Sequence, residues 1–205
     1  MKKLNVNIDH VATLRQARLG SYPNPIDIAK LISSSKASGI VMHLREDRRH
    51  IQDYDLANYK KIIKLPLNLE MAPTPEMVKI ANKIKPQTVT LVPEKRQELT
   101  TEGGLNLKKN LTKVKSIINN LNGAIKIMLF VDPDLKIIDI CKKLDIHGVE
   151  INTGKYCDAK KNNISKELIK IRKAAKLASE LNMFVAAGHG PVSYTHLRAH
   201  ETSID

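Results

Sequence analysis

Residues 41–50 read V-M-H-L-R-E-D-R-R-H. Gly39, Ile40, Val41 and Met42 form an apolar run that predicts a buried strand, and the run ends abruptly in two histidines, three arginines and two acids. In parallel α/β sheets the ligand groups gather at the carboxyl ends of strands. The stretch therefore predicts an active-site edge. The plainer alternative is a solvated charged loop after an edge strand. His43 abuts the strand's apolar residues, and Arg45 and His50 follow at short range, which favours function.

Other segments end the same way. Residues 4–11, L-N-V-N-I-D-H-V, alternate Leu4, Val6 and Ile8 with Asn5, Asn7 and Asp9, the period of a strand. Arg15, Arg18, Gly20 and Pro23 then predict a loop, after which Asn24 as N-cap and Pro25 open a helix to about residue 38. Helical spacing recurs over 53–64 (Leu56, Tyr59, Ile62, Ile63) and after Thr74-Pro75 (Met77, Val78, Ala81, Ile84). It returns over 105–121, from 132 through Cys141, and over 165–181. Strands are predicted at 65–71, 88–93, 125–131, 148–154 and 183–190. A polar loop, 94–104, ends in Gly103-Gly104, a pair whose backbone N–H groups suit a phosphate.

Strict strand–helix alternation implies a parallel sheet with right-handed crossovers. An open doubly wound sheet would gather its ligand groups at one switch point. Here nearly every strand ends in polar or ionisable residues: Asn7, Asp9 and His10; His43 and Arg45; Glu70; Glu94 and Lys95; Glu150; His189. A closed ring brings all of these to one mouth. The predicted fold is α/β, a (β/α)8 TIM barrel of the kind that takes about 250 residues. This chain supplies seven predicted strands, so it lacks the eighth strand and closing helix. Residues 1–190 form the predicted domain. Residues 191–205 show neither period and read as a non-native tail. His196 and His200, spaced i and i+4 within it, would suit a metal pair on a helix, but nothing else there supports one.

Composition narrows the classes. The 205 residues are 42% apolar with no Trp, enough for a core of Ile, Leu, Val, Met and Ala. No apolar run approaches the roughly 20 residues of a membrane span, and no signal-like segment opens the chain, so a cytoplasmic protein without a membrane partner is expected. Net charge is +13. The lysines spread along helix-like segments (Lys79, Lys83, Lys108, Lys113) as solvated faces, without a nucleic-acid-binding motif, so no nucleic-acid partner is expected. The positive field instead suits small phosphorylated substrates. Cys141 reads as core and Cys157 as a loop residue, with no disulfide framework.

Histidines beside carboxylates make general acid–base pairs near neutral pH. Glu70, between Leu69 and Met71, sits where burial favours a protonated carboxyl, although a structural ion pair with an Arg is equally compatible. Arginines at the mouth suit phosphate. A metal site from His10, His43 and Glu70 stays open, without a compact H-x-H or H-E-x-x-H to support it. Three functions compete: an acid–base enzyme, a metal-dependent aldolase or epimerase, and a basic nucleic-acid binder.

N-I-D-H-V-A-T-L-R-Q-A-R (7–18), H-L-R-E-D-R-R-H (43–50), N-L-E-M-A (68–72), L-V-P-E-K-R-Q-E-L-T-T-E-G-G-L (91–105) and A-G-H-G (187–190) together resemble the pyridoxine 5'-phosphate synthase family. The resemblance covers residues 4–190. It implies a (β/α)8 barrel without metal or cofactor, which joins 1-deoxy-D-xylulose 5-phosphate to 3-amino-2-oxopropyl phosphate, giving pyridoxine 5'-phosphate, phosphate and water. It implies His43 as general base, Glu70 as a second acid–base group, His189 as proton donor and Glu150 as transition-state stabiliser. Asn7, Arg18 and Gly190 would hold the aminoketone phosphate. Asp9, His10, Arg45, His50 and Thr100 would hold the deoxyxylulose phosphate. It also implies a homo-oligomer, an octamer built from dimers. The family continues past A-G-H-G into an eighth strand ending in a Gly-His pair and a closing helix. Without them this chain is expected to be unstable or inactive.

Overall fold

The computed structural model describes residues 3–94 and 103–190. Backbone contacts divide the chain into two compact units, Met1–Leu91 with Asn119–Lys126, and Val92–Ile118 with Ile127–Asp205.

The first unit runs β1 (Asn5–Asn7), α1 (Asp9–Ala17), α2 (Pro25–Ser33), β2 (Gly39–Leu44), α3 (Asp53–Ile62), β3 (Leu67–Met71), α4 (Pro75–Ile84) and β4 (Thr88–Leu91). The strands pair in chain order and all in parallel, with Asn7 opposite Val41, His43 opposite Glu70, and Glu70 opposite Thr90. Because side chains alternate faces, this register sorts them. Ile40, Met42, Leu44, Leu67, Leu69, Met71, Val89 and Leu91 share one buried apolar face. With Ile26, Leu56, Tyr59, Met77 and Ala81 of the helices they make the core. Each such large side chain contributes roughly 1.5–3 kcal/mol by leaving water. The opposite face carries Asn7, Val41, His43, Asn68, Glu70 and Thr90.

The start of the chain departs from its sequence pattern. The period-two reading continues β1 to residue 11 and leaves Arg15 and Arg18 in a loop. In the structure β1 stops at Asn7, and Asp9 opens α1. The Asn7 side chain causes the break: its Oδ1 accepts from the Asp9 N–H (2.8 Å), a local turn that competes with the sheet ladder. Asp9 then lies at the positive end of the helix dipole. Leu4 is left exposed while Ile8 is buried, so the two are not on one inward face. Helix α2 has the predicted Asn24 cap, accepting from the Ile26 N–H (2.9 Å), but ends at Ser33 rather than near 38. The hydroxyls of Ser33 and Ser35 donate to the Ala29 and Ile32 carbonyls, and Ser35 Oγ accepts from the Ala37 N–H, local bonds that compete with helix continuation.

The second unit holds, but for the end residues Asn119 and Lys126, α5 (Leu107–Asn119) and β5 (Lys126–Val131), and then α6 (Leu135–Cys141), β6 (Gly148–Asn152), α7 (Gly154–Cys157), α8 (Lys161–Glu180) and β7 (Phe184–Gly188). Its strands are also parallel, with Phe130 opposite Glu150, Glu150 opposite Ala186 and Asn152 opposite Gly188. Helix α6 starts later than the sequence predicts, because Asp134 rather than Asp132 caps it, accepting from the Lys136 N–H (2.8 Å). The predicted loop around Cys157 is the single turn α7. Cys141 is fully buried, as expected, and burial pushes its thiol up to about 12.

The fold is α/β of the (β/α) TIM-barrel type with seven parallel strands. Among the described residues there is no eighth strand, and no helix long and apolar enough to cross a membrane.

Candidate active site

In the first unit the polar face of the sheet meets the start of α1. Asp9 is almost wholly buried. Its Oδ1 accepts from the backbone N–H of His43 (2.8 Å), and its Oδ2 accepts from Asn7 Nδ2 (2.8 Å). The strand register then sets His43 beside Glu70, with Nδ1 and Oε2 3.9 Å apart and both side chains buried. Below them Thr90 Oγ1 donates to Asn68 Oδ1 (2.9 Å), so this buried polar pair is satisfied. The His50 ring stands edge-on to that of His43, with centroids 5.9 Å apart. Burial, the largest influence on it, pushes the His50 pKa below its ordinary value; Asp9 acts in the opposite sense. The Ile51 N–H donates to His50 Nδ1 (2.8 Å). A nitrogen that accepts carries no proton, so neutral His50 presents Nε2–H as a donor. Arg45 is buried, with Nε 3.5 Å from Asp47 Oδ1. Arg48 bonds Asp53 and Glu76 at the surface, so this arginine of the charged run is a brace between helices.

In the second unit Glu150 Oε1 and His189 Nδ1 lie 3.3 Å apart, and the His189 ring packs on Phe130 at 4.1 Å between centroids. His189 has φ 57, a left-handed conformation that costs a non-glycine residue energy. Thr153 holds it there: its N–H and Oγ1 both donate to the Gly188 carbonyl (3.0 and 2.9 Å). A methyl group at Gly188 would overlap Glu150 Oε1, so glycine is what lets the carboxylate reach His189. Asp132 Oδ1 accepts from Asn152 Nδ2 (2.9 Å) and from the Gly104 N–H (3.2 Å), which fixes the Gly103-Gly104 turn.

Asn7, Asp9, His43, His50 and Glu70 are thus gathered in one unit, and Glu150 and His189 in the other. Gly190 sits with its backbone against Gly154 and Cys157. His10 and Arg18 are exposed, at the first turn and the C-cap of α1. Thr100 lies outside the described residues. Strand-end reasoning missed Asp132 and Asn152, although both follow β-strand apolar runs. It also missed Thr153, and Asp55, whose one signal is an acid in the apolar stripe of α3 beside Leu56 and Tyr59. As possible metal ligands, Asp9, His43 and His50 each place a donor atom within 4.8 Å of the others. Both Asp9 oxygens and His50 Nδ1 already accept hydrogen bonds.

A parallel (β/α)-barrel fold with His–carboxylate pairs at its strand ends places the chain in the barrel class whose members carry their active sites at the carboxyl ends of the strands. Two solved structures share the fold. Alanine racemase from Clostridium difficile 630 matches 94% of this chain with a TM-score of 0.58 at 15% identity, this chain spanning 49% of its length. The tryptophan synthase complex from Pyrococcus furiosus matches 97% with a TM-score of 0.58 at 10% identity, this chain spanning 82% of the matched chain. The chain belongs to the family described as pyridoxal phosphate biosynthesis protein PdxJ, whose model matches residues 4–202. A pyridoxine 5'-phosphate synthase of Geotalea uraniireducens is 50% identical over 200 residues, 97% of this chain and 83% of the relative. The one from Zymomonas mobilis is 50% identical over 189 residues, 92% and 74% of the two chains. The chain is accordingly a biosynthetic enzyme, a ring-closing synthase with pyridoxine 5'-phosphate synthase function.

Proposed function

We propose that the chain condenses 1-deoxy-D-xylulose 5-phosphate with 3-amino-2-oxopropyl phosphate to pyridoxine 5'-phosphate, phosphate and water. The observation that carries this reading is the buried His43–Glu70 pair, set in register at 3.9 Å and braced by Asp9. Imine formation, loss of phosphate and water, and aldol-type closure each move a proton, and several titratable groups, rather than one dyad, suit such a sequence of steps. His43 acts as general base, Glu70 relays protons, His189 donates one, and Glu150 orients His189 and stabilises charge. Asp9, His10, Arg45, His50 and Thr100 take the deoxyxylulose phosphate; Asn7, Arg18 and Gly190 take the aminoketone phosphate. His50, neutral and donating through Nε2, is suited to a phosphate or hydroxyl oxygen. The setting is the cytoplasm, in a homo-oligomer, without nucleic-acid or membrane partners and without a cofactor.

The test is formation of pyridoxine 5'-phosphate from the two substrates. Glu70→Gln and His43→Asn should each lower kcat by about 10²–10⁴. Undiminished turnover in Glu70→Gln would remove it from the chemistry, and activity abolished by a chelator would favour a metal-dependent reaction.

A further inference from the structure

One ion pair of the first unit lies behind the site. Arg15 on α1 is 2% exposed and Asp55 on α3 is 1% exposed. They form a bidentate bridge, Nη1 to Oδ1 at 2.7 Å and Nη2 to Oδ2 at 2.8 Å. Bridges of this kind are commonly replaceable by apolar pairs without loss of stability, so stability alone does not account for one here. Of its remaining bonds, Arg15 Nε donates to Gln16 Oε1 (3.0 Å) on the same helix, and the others lead to the turn at His50. Arg15 Nη2 also donates to the His50 carbonyl (3.1 Å), and so does Gln52 Nε2 (3.1 Å). Asp55 accepts from the Gln52 N–H (2.9 Å), which fixes the turn carrying both residues. The same helix holds the other end of the segment, because Asp9 at its first turn accepts from the His43 N–H. Helix α1 therefore clips the charged loop at His43 and at His50, and sets the spacing of the two rings.

We infer that Arg15 and Asp55 are positioning residues for His50, holding its backbone so that the ring keeps Nδ1 on the Ile51 N–H and offers Nε2–H to the phosphorylated ketose. The ligand named here rests on the functional reading above; the placement of His50 does not. Neither residue touches substrate, since both are buried behind the loop. The cation of Arg15 is further held by the Tyr54 ring, 5.2 Å from its guanidinium.

The experiment compares the full chain with Arg15→Met/Asp55→Leu, in which an apolar pair replaces the ions and no charge is left buried. The expected result is a folded variant whose KM for 1-deoxy-D-xylulose 5-phosphate rises about tenfold, the size of one lost charge-assisted hydrogen bond. The KM for 3-amino-2-oxopropyl phosphate stays within about twofold. Nitrogen-15 shifts of the His50 ring should report a fixed Nε2–H tautomer in the parent and tautomer exchange in the variant. A folded double variant with parental His50 shifts overturns the inference, as does an equal rise in both KM values. If the double variant does not fold, Arg15→Lys is read by the same shifts: it keeps the charge opposite Asp55 and loses the second arm to His50. A parent chain that makes no product from the two substrates would withdraw the turnover proposed for this chain, while the ring shifts still decide the positioning.

Discussion

The two units carry His–carboxylate pairs on matching faces of parallel strands, yet they hold them by different means. In the first unit that face is polar apart from Val41, and charges brace it: Asp9 on the His43 backbone, Arg15 and Asp55 behind His50. In the second unit the face that bears Glu150 also bears Met128, Phe130 and Phe184. There His189 is held by a strained backbone, two hydrogen bonds from Thr153 and the clearance at Gly188. Charge bracing resists movement strongly but fails badly when one partner is lost. Steric clearance costs little to disturb, and then misplaces a single atom.

That contrast predicts effects of different kinds. The largest belongs to Arg15→Met alone, which strands Asp55 as a buried unpaired charge. It should lower unfolding free energy by about 3–5 kcal/mol in urea titration; a loss under about 1 kcal/mol would deny that charge braces the first unit. Next comes Gly188→Ala. The new methyl displaces the mobile end of Glu150, not backbone, so the thermal midpoint should move little while kcat falls up to about a hundredfold. A collapse in stability with kcat preserved among folded molecules would mean that glycine serves packing only.

The smallest effect is on pH dependence. Burial holds the His50 pKa below its ordinary value of 6.5. The unfolded chain therefore binds this proton more readily than the folded chain. The stability that neutral His50 contributes is complete above 6.5 and is lost as pH falls from there toward the folded value. Asp47, held below its ordinary 3.8 chiefly by its bond to Arg49, begins to cost stability only below 3.8. His50→Asn should erase the upper step of an unfolding-against-pH curve and leave the lower one. An unchanged curve would show that the step arises elsewhere.

The strand ends were legible because strand period and a terminal ionisable residue are local properties: His43, Glu70, Glu150 and His189 were all located by them. Helix α1 was not legible. Alternation of Leu4, Val6 and Ile8 reads as strand until the Asn7 side chain captures the Asp9 N–H, and that local competition defeats the period. Arg15 consequently read as a loop cation, although it is among the most buried charges described.

What the sequence determined by itself is the strand–helix alternation, the positions where chemistry emerges from apolar runs, and the family, since each rests on residues near one another in the chain or on whole motifs. What only the tertiary structure decided is which of these groups meet. Arg15 finds Asp55 across 40 residues, His43 faces Glu70 through strand register, and Gly188 leaves room for a carboxylate 38 residues earlier in the chain, at position 150. Such pairings are set by the packing of helices against a sheet, and no local propensity encodes them.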